Sequence, residues 1–132
     1  VLFKGIASRW REARASALQK EIMDILNRYT RWGTYERYEC LSAFDFAKND
    51  FEDEHGPIDE WSENFAGKVR KELMQTAKLG YSTAPYGASG AALLSLFVEL
   101  QHVPGQLAGE LRIRIIEWYN RALIEDMPSE KY

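Results

Sequence analysis

The chain reads as an all-α protein, a single-domain bundle of four or five antiparallel helices. Three observations carry that reading. Apolar residues recur three and four apart through several long segments, which is the mark of one buried helix face. No two runs of alternating residues lie close together, so a strand would have no neighbour to pair with. Gly or Pro marks short connections between the periodic segments, as antiparallel neighbours require. The 132 residues, 45% of them hydrophobic, form one domain, 1–132, long enough to bury about two-thirds of the unfolded surface.

The clearest element runs from about Ser8 to Trp32. Leu18, Ile22, Ile25, Tyr29 and Trp32 make one stripe, while Lys20, Asp24, Asn27 and Arg31 occupy the opposite face. Arg14 falls on the stripe side, and Gly33 stops the helix. The next segment, TYERYECLSAFDFAKND, places Tyr35, Tyr38, Leu41 and Phe44 on one helical face, and a lone strand there would have no partner. An acidic connection follows, after which Pro57 and Ile58 resemble a first helical turn with Asp59 and Glu60 set against the helix dipole. Ile58, Trp61, Phe65, Val69 and Leu73 then share a side until Gly80. Beyond the loop GYSTAPYGASG, Ser89 serves as N-cap to AALLSLFVELQHV, apolar almost all round and hence the most buried helix. Pro104 and Gly105 break it. Leu107, Leu111, Ile115, Trp118 and Ala122 line a last helix over residues 106–126. Leu18, Ile22, Ile25, Val69, Leu94 and Leu111 are expected to meet in the core.

Charge is distributed unevenly. Residues 1–37 hold eight basic and four acidic groups, residues 38–64 one and nine, and residues 65–132 eight and seven, for a total of only -3. That total argues against nucleic acid as a partner, whereas the acidic middle suits a partner protein with a basic surface. One cysteine, Cys40, rules out a disulfide framework within the chain and a Cys-rich zinc site, and favours a reducing, cytoplasmic setting. The longest uncharged run, residues 79–98, begins polar and Gly/Pro-rich and would not cross a bilayer. Residues 1–3 with Lys4, Arg9, Arg11 and Arg14 look like a segment lying beside a membrane, and are too short to be an anchor or a signal peptide.

The stretch DFEDEHGPIDEW concentrates six carboxylates and His55 in twelve residues. Its acids lack the Glu-x-x-His spacing of a di-metal helix and the alternation of a calcium loop, so it reads as an exposed connection that steers a basic partner. Replacing Glu52, Asp53 and Glu54 together is expected to leave the fold nearly intact. His102 sits at a helix end, where the dipole stabilises an imidazolium. Cys40 has no histidine nearby in sequence, and a buried structural thiol is its ordinary role. The GASG run, residues 87–90, has neither a Walker lysine nor Rossmann spacing. Tyr29, Trp32, Tyr35 and Tyr38 with Arg28, Arg31 and Arg37 could stack bases, yet the acidic neighbourhood favours core and interface roles.

The sequence therefore predicts a non-enzymatic protein that acts by binding another protein, as an adaptor, inhibitor or immunity-type factor, without cofactor or metal. Glu52, Asp53, Glu54, Asp59, Glu60, Trp32 and Tyr35 are the expected contacts. Two alternatives belong to other classes: an enzyme whose site is assembled from His55, His102, Cys40 and nearby carboxylates, and a peripheral membrane domain held by the basic N-terminal helix.

Overall fold

A computed structural model describes the backbone of residues 2–78 and 85–128, and the side chains of residues 9–10, 12–75 and 85–128. Five helices pack against one another: α1 Leu2–Arg31, α2 Thr34–His55, α3 Glu63–Lys78, α4 Pro85–Leu100 and α5 Gln106–Glu125, with a 3-10 turn at Ile58–Glu60. The all-α bundle expected from periodicity is the fold observed. Among the described residues, no helix is long and apolar enough to cross a membrane.

Helix α4 is the axis of the molecule. Eleven of its sixteen residues are buried, and it touches each of the other four helices, α2 and α3 most closely. The approach of α2 depends on Gly90, where an added Cβ would lie 2.1 Å from the Cys40 carbonyl oxygen. Only glycine lets the two backbones meet there. Around this axis Leu18, Ile22, Ile25, Val69, Leu94 and Leu111 join a single core cluster, as the sequence predicts, together with Phe44, Ile58, Trp61 and Ile115.

Several boundaries differ from expectation. Helix α1 begins at Leu2, upstream of Ser8. Helix α2 continues through residues 50–55 and stops only at Gly56, whose φ of 85° and N–H bond to the Glu52 carbonyl (2.8 Å) form the C-cap. The acidic stretch is thus mostly helix rather than loop, because Pro57 restricts only the residue before it. Pro57 and Ile58 open a single 3-10 turn, and α3 starts later, with Ser62 Oγ accepting the Phe65 N–H at 3.1 Å. Helix α4 starts at Pro85, a proline at the first helical position. Ser89 therefore lies inside the helix, and its hydroxyl donates to the Pro85 carbonyl at 3.1 Å rather than capping. The core face of α2 is Cys40, Leu41 and Phe44, which leaves Tyr35 outside it. The expected stop at Gly80 and most of the following loop, residues 79–84, lie outside the described residues.

Candidate partner-binding surface

The outward side of α2 carries one continuous stripe. Tyr35, Glu39, Ser42, Phe46, Asp50 and Asp53 follow at steps of three or four, and none is buried. Tyr35 is 66% and Phe46 75% exposed, a large apolar area left in water, whereas the other phenylalanine rings among the described residues are more fully buried. The Glu39 carboxylate, one turn on, hydrogen-bonds the Tyr35 phenol and raises its pKa. Both arginine and lysine side chains of α2 turn elsewhere. Arg37 Nε donates to Asp126 Oδ1 at 2.9 Å and Lys48 Nζ to Glu52 Oε1 at 2.5 Å, so neither pairs with an acid of the stripe.

The acidic end of α2 divides into two kinds of carboxylate. Glu52 is internal to the fold: it holds Lys48 with one oxygen and accepts the Ile58 N–H with the other at 3.0 Å. It ties α2 to the 3-10 turn, and Trp61 Nε1 seals the same corner by donating to the Gly56 carbonyl at 2.9 Å. The expectation that Glu52 is an exposed surface acid, replaceable together with its neighbours with the fold nearly intact, is corrected by these bonds. Asp50, Asp53, Asp59 and Glu60 are exposed and make no ion pair among the described residues, while Glu54 stands 3.7 Å from His55 Nε2. His55 itself packs tilted against the Phe65 ring, centroids 4.7 Å apart. Asp53 and Glu54 lie in the last turn of α2, where the negative end of the helix dipole makes further negative charge unfavourable. Trp32 is half-buried, with its ring edge-on to Tyr86 at 4.9 Å and tilted against Tyr29 at 6.0 Å. It belongs to the packing between the α1–α2 turn and α4, apart from the Phe46 stripe.

The remaining candidates are placed elsewhere. Cys40 is fully buried, and desolvation pushes its thiol up to about 12. His102 lies in the turn after α4, on the wall of an open cleft of about 260 Å³ between α1, α3 and α4. The cleft is spanned by Glu99, 11% exposed, which receives Arg14 through both oxygens and Arg70 through one. His102 Nε2 and Arg70 Nε are enclosed there without a hydrogen-bond partner. Among the described residues, no three His, Cys, Asp or Glu side chains converge as metal ligands. The basic residues near the N-terminus fall partly outside the described side chains, namely Lys4 and Arg11.

One polar cluster has no signal in the sequence. Asp126, 7% exposed just past α5, accepts the Tyr29 hydroxyl at 2.6 Å and Arg37 Nε, while Arg37 also donates to the Trp32 carbonyl. Burial first, then the Asp126 hydrogen bond, drives the Tyr29 phenol pKa upward. This clasp fixes the α1–α2 turn and so the direction in which Tyr35 and Phe46 project. Comparison with known proteins adds no relative: no family model, curated protein or solved structure matches the chain.

Proposed function

We propose that the protein acts by binding another protein, and that the outward stripe of α2 is its contact surface. The observation that carries this reading is the pairing of two exposed aromatic side chains, Tyr35 and Phe46, with uncompensated acids on one helix face. Aromatic side chains anchor interfaces by filling pockets on the partner, and unpaired rim charge speeds encounter with a surface of opposite sign. The partner thus carries a basic rim around an apolar recess, and Asp50, Asp53, Asp59 and Glu60 steer it toward Phe46. The cost supports the reading too: acids at the C-terminal end of a helix lower its stability, and a contact surface gives them a use.

The test is affinity capture from the native cell with three baits: wild type, Phe46→Ala, and Asp50→Asn with Asp53→Asn. A partner that binds wild type, is lost with Phe46→Ala, and associates more slowly with the double variant supports the proposal. Its association rate should fall as salt rises. Retention of every captured protein by both variants refutes it.

A further inference from the structure

Helix α5 has a second apolar stripe, turned away from the core. Ala108, Leu111, Ile115 and Ala122 are buried, while Ile113, Ile116 and Ile124 are 57%, 46% and 83% exposed. With Asn120 they recur three, four and four residues apart, one face of a helix. Isoleucine is a poorer former of exposed helix than Lys, Glu or Ala, so within one chain this stripe stabilises nothing. Beside it runs a line of alternating sign: Arg114, Glu117, Arg121 and Glu125. Arg114 and Glu117 make no ion pair among the described residues, and Arg121 meets Glu125 one turn on at 3.3 Å with both side chains mostly in water. Such a pair exchanges readily for another.

We propose that α5 is the seam of a two-fold dimer, in which it packs antiparallel against α5 of a second copy. A two-fold axis perpendicular to the paired helices sets each flank against the same flank of its mate, read in the opposite direction. An alternating line of charge is complementary to itself under that operation. Where Arg114 faces Glu125 of the second copy, Glu117 faces Arg121, and symmetry repeats both pairs. The same register places Ile113 against Ile124 of the second copy and Ile116 against Asn120, on either side of the two-fold axis. In this register residues 113–125 of the two helices overlap, about 20 Å of paired helix, at the shallow crossing of about 20° that such packing adopts.

The register is testable by splitting the charges. One chain carries Arg114→Glu and Arg121→Glu, the other Glu117→Lys and Glu125→Lys, and circular dichroism verifies that each is folded. Sedimentation equilibrium is run from about 1 to about 100 μM, the range in which small interfaces dissociate. Wild type is expected to dimerise, each single-sign chain to remain monomeric, and the equimolar mixture to dimerise. Ile124→Asp should weaken the wild-type dimer at least tenfold, whereas Phe46→Ala should leave it unchanged, which keeps this seam separate from the α2 surface. A monomeric wild type, a single-sign chain that dimerises as wild type does, or a mixture that stays monomeric overturns the proposal.

Discussion

Changing Glu52 alone, and Asp53 with Glu54, at the end of α2 should move stability in opposite directions. Glu52 is 24% exposed and bonds both Lys48 Nζ and the Ile58 N–H. Glu52→Ala removes a partly buried ion pair and a charge-assisted bond to the backbone, at a cost of about 2–3 kcal/mol. Asp53 and Glu54 stand exposed in the last helical turn. Neutralising an acid there relieves a clash with the helix dipole worth about 0.3–1 kcal/mol. Glu54 should gain less, because His55 Nε2 stands 3.7 Å from its carboxylate. With a urea m-value of about 2 kcal/mol/M, Glu52→Ala lowers the midpoint by about 1–1.5 M, and Asp53→Asn with Glu54→Gln raises it by about 0.3–0.7 M. The gain should vanish near 1 M NaCl, where the Debye length shrinks to about 3 Å. Urea melts followed by circular dichroism at low and high salt measure all of this. Movement of both variants in the same direction, or a loss of stability in the Asp53→Asn/Glu54→Gln chain, would refute the division into one structural and two exposed acids.

Three further predictions concern the core and the cleft. Gly90→Ala presses a methyl group onto the Cys40 carbonyl and should cost about 3 kcal/mol or more, since backbone cannot yield as a side chain does; a melt within about 0.5 kcal/mol of wild type would contradict the α2–α4 crossing. With its thiol pushed up to about 12, Cys40 is about one part in ten thousand thiolate at pH 8, so disulfide-exchange reagents should label it only as fast as the chain opens, and immediate labelling of the native protein would contradict its burial. Because that pKa is raised from 9.0, the Cys40 contribution to stability is complete below about pH 9 and falls at higher pH as the unfolded chain alone ionises. Glu99→Gln leaves Arg14 and Arg70 facing each other, each more than a third exposed, and should cost about 1–3 kcal/mol; in that background Arg14→Ala should add little, and full additivity in a double-mutant cycle would show that the pair is uncoupled.

What was legible in the sequence was whatever repeats locally. The stripe of Leu18, Ile22, Ile25 and Tyr29 is read from spacing alone, because burying one face of a long helix leaves that period in the residues. The central place of α4 follows from an apolar run with no polar face. The end of α2 was hidden, because residues 50–55 carry the wrong charge for a helix C-terminus and local electrostatics argues against the helix that packing of Phe44 and Phe51 enforces. The start of α4 was obscured by its glycines, of which Gly90 serves close packing on α2 rather than a loop. Pro85 was the usable sign. Pairs such as Arg14 with Glu99, 85 residues apart, leave no trace in a single sequence. For the candidate surface, the acidic charge was evident beforehand, whereas the partnership of Phe46 with Tyr35 appeared only once the true core face of α2 was known.

The Asp126 clasp has a mechanical consequence. A helix pulled from its last turn ordinarily peels, breaking one bond at a time under little force. Here both carboxylate oxygens are held, one by Tyr29 and one by Arg37, 97 and 89 residues away in the sequence. Tension applied beyond α5 is therefore delivered to the α1–α2 turn before the last turn of α5 can unwind. Both bonds must then fail together, so the clasp is the element that bears load when the molecule is stretched from that side.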